Sequence, residues 1–114
     1  MSAITTHVLD TSIGGPATGV SVLLERRTGQ GDWSAVGRGE TNADGRLASL
    51  MPIDDPLIQG VYRITFDTGR YFQAQGRQAF YPEVVVVFET VAGESHYHVP
   101  LLLSPFGYST YRGT

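Results

Sequence analysis

The sequence predicts an all-β antiparallel sandwich carrying one short helix, and three observations predict it. Apolar residues recur mostly with period two, as in half-buried strands, and not at helical spacing. The 14 glycines and 6 prolines are scattered among these runs and divide them into short segments. The longest apolar run, Val84 to Phe88, is far too short to cross a bilayer. At 114 residues the chain suits one domain, 1–114, with one core.

THVLD at 6–10 is the first predicted strand, ended by the turn-rich SIGGP at 12–16. GVSVLLER at 19–26 is the second, with Val20, Val22 and Leu24 on one face. WSAVGRGE at 33–40 carries glycines that suit an edge or strongly twisted strand. TNADGR at 41–46 holds an Asp-Gly turn, after which RLASL is expected to return as a strand. GVYRITFD at 60–67 alternates, with Tyr62, Ile64 and Phe66 toward the core and Arg63, Thr65 and Asp67 away from it. TGRYFQAQG at 68–76 is the one predicted helix, stopped by Gly76 and dependent, at that length, on packing against a sheet. PEVVVVFETV at 82–91 is the strongest strand. Its middle is apolar on both faces, which predicts burial on both sides or a core face backed by a subunit interface. HYHVPLLL at 96–103 follows the short VAGES turn and is expected to be its hairpin partner, and SPFGYSTY turns into a short last strand. Seven or eight strands in two sheets then enclose the core.

A net charge of -3 and a pI near 5.4 lack the basic excess of a nucleic-acid or anionic-membrane binder. All 8 basic residues are arginine, so every fixed positive charge can make forked, planar contacts. The sequence has no cysteine, which excludes disulfides, thiolate catalysis and cysteine-bound metal. MSAITTHVLD reads directly into strand-like sequence with no basic region and apolar stretch, so the expectation is a protein without a secretory signal, retained in the cytoplasm.

Strand parity places Tyr97, Val99, Leu101 and Leu103 on one face and His96, His98, Pro100 and Leu102 on the other. The first set is the better core, so the two histidines face outward, as does His7 opposite Val8. Three readings stay open: solvated or interface histidines, a metal pair at i and i+2 lacking the rest of a zinc motif, or neutral imidazoles that activate water. Arg46, after the Asp44-Gly45 turn, is either a solvated hairpin arginine or a fork that holds a planar, oxygen-rich ligand. Arg112 has the same two options, and Gly113 beside it lets the backbone approach closely.

THVLDTSIGGPATGV at 6–20, TNADGR at 41–46 and HYHVPLLLSPFGYSTYRGT at 96–114 together resemble the signatures of the transthyretin-like 5-hydroxyisourate hydrolase family. GVYRITFDTGRYF and FYPEVVVVF extend the resemblance to nearly the whole chain. It implies a sandwich of two four-stranded sheets, assembled as a dimer of dimers with active sites in the channel between dimers. It implies hydrolysis of 5-hydroxyisourate at the N1–C6 amide bond in urate breakdown, with no cofactor and no metal. The family's catalytic residues fall on His7, Arg46 and His98, and its closing tetrapeptide on Tyr111, Arg112, Gly113 and Thr114, which with His7 and Arg46 would bind substrate. His96 belongs to the same motif but ranks below His98 for direct chemistry. Thr114 stands where serine is usual, adding a methyl group to the hydroxyl and restricting its rotamer. The hormone carriers of this fold lack the histidine pattern and end in a longer tail, so the resemblance favours the hydrolase, with a non-catalytic small-ligand binder as the alternative reading. The stop directly after Thr114 is expected to matter for catalysis, and direct attack by water is favoured over an acyl-enzyme, since no triad surrounds the Thr114 hydroxyl.

Overall fold

Burial alternates along the strands as hydrophobicity alternates along the sequence. The computed structural model describes residues 3–52 and 56–114. Among them the elements are β1 (Ile4–Asp10), β2 (Gly15–Pro16), β3 (Ser21–Arg27), β4 (Trp33–Glu40), β5 (Arg46–Leu47), β6 (Val61–Phe66), α1 (Thr68–Gln73), β7 (Val84–Glu89), β8 (Tyr97–Ser104) and β9 (Gly107–Thr110). One sheet runs β2-β1-β8-β9 with β5 also paired to β1, and the other runs β4-β3-β6-β7. The expected all-β sandwich with one short helix is therefore present, the two-residue β2 adding a fifth strand to the first sheet.

The core is what parity predicts. Leu24, Ile64 and Phe66 from one sheet, Val20 just before β3, and Val8 and Leu101 from the other sheet are fully buried. The cost of a slip explains why register is fixed. Shifting β8 by one residue would turn Tyr97, Val99, Leu101 and Leu103 to solvent, at about 2 kcal/mol each, more than any one hydrogen bond returns.

Two expectations are corrected. Segments 82–91 and 96–103 do not form a hairpin: β7 pairs with β6, while β8 crosses to the opposite sheet and lies parallel to β1. Each strand has an apolar core face, and placing them in different layers lets those faces cover one another. Tyr97 sits 6.3 Å from Phe88, ring to ring, and its hydroxyl accepts the Val91 N–H at 2.8 Å, so the link is a corner between sheets. The Asp44-Gly45 turn likewise makes no hairpin, and only Arg46–Leu47 of RLASL is strand, paired to β1. Gly45 has φ +75, and its carbonyl accepts the Val8 N–H at 2.7 Å; a Cβ there would collide with the Val8 carbonyl. The turn is thus a bridge from the edge of one sheet to the other.

β4 is an edge strand, as its glycines suggest. The physical reason at Gly37 is also steric, since a Cβ would run into the Leu50 carbonyl where the buried Leu50–Met51 segment crosses the strand. Helix α1 is shorter than its sequence window and buries Tyr71 and Phe72. It is tied to the end of β1 through Asp10, which is fully buried. Asp10 accepts hydrogen bonds from the Tyr71 hydroxyl at 2.9 Å, from Arg77 Nη2 at 2.6 Å and from the Ser12 N–H at 3.0 Å, and from the Ser12 hydroxyl. Among the described residues, no helix is long and apolar enough to cross a membrane.

Candidate active site

The outward face of the β1–β5–β8 sheet collects the polar residues that parity excludes from the core. In β1, Thr6 and Val8 point inward, and His7 points outward. The parallel register sets Thr5 beside His98, and the antiparallel register sets His7 beside Arg46. His7 and His98 are thereby diagonal neighbours, with Arg46 on the far side of β1. A shallow cleft of roughly 260 Å³ is bordered by Thr5, Thr6, Arg46, Ala48, His96, His98 and Thr114.

His7 is oriented by the Asp-Gly turn. Its Nε2 lies 2.9 Å from the Asp44 carbonyl oxygen. A carbonyl only accepts, so this nitrogen carries a proton and Nδ1 is the ring's acceptor when the imidazole is neutral. The turn is itself braced by Asn42, whose Oδ1 accepts the N–H groups of Asp44 at 2.9 Å and Arg46 at 3.0 Å. One short turn therefore positions both His7 and the backbone of Arg46.

His98 is held from two sides. Its Nδ1 shares a hydrogen bond of 2.8 Å with the Thr5 hydroxyl. On the opposite edge the closing segment returns to β8, where Gly113 N–H donates to the His98 carbonyl at 2.8 Å. A Cβ on Gly113 would sit 2.6 Å from His98 Cδ2, so only glycine lets the tail lie against the ring. Burial lowers the His98 pKa below its ordinary value, and the positive Arg46, then His7 and His96, push the same way. The imidazole is consequently neutral at neutral pH.

The cleft thus gathers Arg46, His98 and Thr114, with His7 beside Arg46 on the same face and Gly113 packed on His98. Tyr111 and Arg112 are placed elsewhere. They border a separate, largely apolar hollow between the edge strands β7 and β9. Arg112 lies over the Tyr97 ring at 4.7 Å and pairs with Glu94 at 3.4 Å, on the opposite side of the tail from His98. Thr5 carries no motif of its own in the sequence; its one signal is the outward parity that it shares with His7, two residues on. Among the described residues, no group of three or more His, Asp or Glu is arranged to hold a metal ion.

A neutral imidazole, a guanidinium and a hydroxyl in one cleft suit attack of water on a carbonyl, with somewhere for the oxygen's charge to go. Comparison with known proteins points to the same chemistry. Residues 4–113 match the HIUase/Transthyretin family. The chain is 44% identical over 111 residues to a 5-hydroxyisourate hydrolase of Salmonella dublin, covering 97% of this chain and 80% of that one. Its fold is similar to the 5-hydroxyisourate hydrolase of Klebsiella pneumoniae, with TM-score 0.85 and 38% identity over 100% of both chains. It is also similar to sea bream transthyretin in complex with thyroxine, with TM-score 0.89 and 35% identity over 98% of this chain and 95% of the other.

Proposed function

The chain belongs to the HIUase/transthyretin family and hydrolyses 5-hydroxyisourate in urate degradation; we propose that it does so on the face that holds His7, Arg46 and His98. The observation that carries this assignment is a histidine kept neutral beside an arginine, in a cleft closed by the chain's own tail. Neutral His98 takes a proton from water as the water oxygen bonds to C6 of the substrate. Arg46 stabilises the negative charge that develops on the C6 oxygen. The N1–C6 bond then breaks, N1 takes a proton from the imidazolium, and the ring opens to 2-oxo-4-hydroxy-4-carboxy-5-ureidoimidazoline. His7, fixed on the Asp44 carbonyl, offers its second nitrogen to the substrate. Gly113 and Thr114 close the cleft, while Tyr111 and Arg112 hold the tail from its other side.

A base of this kind contributes about 10²- to 10⁴-fold, and one donor to the developing oxyanion about 10²- to 10³-fold. His98→Gln and Arg46→Ala are therefore expected to slow the decay of freshly made 5-hydroxyisourate, followed by ultraviolet absorbance, by about a hundredfold or more, and His7→Asn to slow it through the lost substrate contact. Gly113→Ala and deletion of Tyr111 to Thr114 are expected to act in the same direction. Catalysis like that of the wild type in these variants defeats the site assignment.

The assembly proposed is a homotetramer, a dimer of dimers, acting in the cytoplasm. Support comes from β7, an edge strand whose outer side chains Val85 and Val87 are 40% and 57% exposed. Val91, Phe106 and Tyr111 add apolar surface near the same margins.

A further inference from the structure

We propose that Thr5 is a positioning residue for the hydrolysis, its hydroxyl accepting the Nδ1–H of His98 so that Nε2 presents its lone pair to the cleft. The inference rests on the assignment of His98 as the base. Nδ1 is engaged by the Thr5 hydroxyl at 2.8 Å, and the Cδ2 edge is covered by Gly113. The edge running from Cε1 to Nε2 is the one left to meet a substrate.

A hydroxyl can donate to a ring nitrogen or accept from it, so the contact alone leaves two tautomers. Arg46 separates them. It lines the same cleft and acts on His98 as a positive charge. A guanidinium only donates, so a lone pair toward it is favoured over a second N–H, which leaves the ring proton on Nδ1 and directs it to Thr5. The charged or titratable groups that bear on this ring are Arg46 from β5, His7 from β1 and His96 just before β8, all acting in the same sense. Thr5 is buried and belongs to a strand in register with β8, so its hydroxyl is fixed by the same ladder that places His98. When water is deprotonated, Nε2 gains the proton and Nδ1 keeps its own. Thr5 therefore holds one geometry in both states of the base.

The test compares Thr5→Val, which keeps the shape and removes the hydroxyl, with Thr5→Ser, which keeps the hydroxyl. Thr5→Val is expected to lower kcat about tenfold with KM little changed and the fold retained at a melting temperature lower by about a few degrees, and Thr5→Ser to recover most of the loss. An acceptor at Nδ1 stabilises the imidazolium more than the neutral ring, so the acidic limb of the Thr5→Val profile should move to lower pH. A move to higher pH would mean that Thr5 donates, and would overturn the tautomer. ¹⁵N NMR of the wild type should show Nδ1 protonated and Nε2 bare; the reverse also overturns it. His98→Gln separates the two levels of the claim. Full activity in that variant removes the base assignment and this inference with it, whereas an inactive His98→Gln beside a fully active Thr5→Val removes only the role of Thr5.

Discussion

At His98, burial and charge act in one direction. Burial disfavours the imidazolium, and Arg46 disfavours it further through its positive charge. The base form is complete above the ordinary histidine value of about 6.5 and is lost only as pH falls through the lower value of the folded protein. Replacing Arg46 with glutamine should therefore move the His98 titration upward in NMR, yet leave it below about 6.5, because burial is the larger cause and remains. An unchanged titration would show that the arginine is too distant or too screened to tune the base. At Gly113 the missing Cβ is what allows the tail to cover the imidazole without displacing it.

Between elements, the Asp10 network ties the end of β1 to α1 and the loop beyond it. Burial alone would raise the Asp10 pKa, but hydrogen bonds from Ser12, Arg77 and Tyr71 outweigh it and hold the carboxyl below its usual value. A depressed carboxylate contributes stability that is full above the unfolded value of about 3.9 and is lost as pH falls through the folded one. Asp10→Asn leaves Arg77 facing a neutral amide, with Arg77 itself partly solvated at 26% side-chain exposure. The expected cost is about 3 kcal/mol at neutral pH, near the lower end for breaking a buried pair, and it should shrink below about pH 3.9. Urea unfolding at both pH values measures it. Equal stability of the two proteins at neutral pH would mean that the helix is held by Tyr71 and Phe72 packing alone.

For the whole molecule, the two open margins of the sandwich decide whether it stands alone. β7 and β9 are edge strands, and the apolar hollow between them is bordered by Val87, Tyr97 and Tyr111. An unpaired apolar edge invites another chain, and a charge on it is the usual way to prevent pairing. If the proposed tetramer is built through this margin, Val87→Glu shifts sedimentation from tetramer toward monomer while leaving the fold intact by circular dichroism. A monomer with full turnover would separate the site from the assembly. An unaltered tetramer would place the contact on another surface.

Period-two patterning in GVSVLLER, GVYRITFD and HYHVPLLL determined by sequence alone which side chains are core, because a strand's faces alternate whatever it pairs with. It also made His7 and His98 legible as outward polar groups, whereas Arg46 stood out only by its place after the Asp44-Gly45 turn. Pairing was not legible in this way. VVVVF and HYHV read as a hairpin because they are adjacent, yet each has a core face that is better covered from the opposite layer. The same long-range choice set β8 parallel to β1, and it brought Thr5 to His98 across a separation of 93 residues. It also turned Arg112 toward Tyr97 while the next residue met the imidazole. Local periodicity tells a residue which way to face, and only the packing of distant segments decides what it meets there.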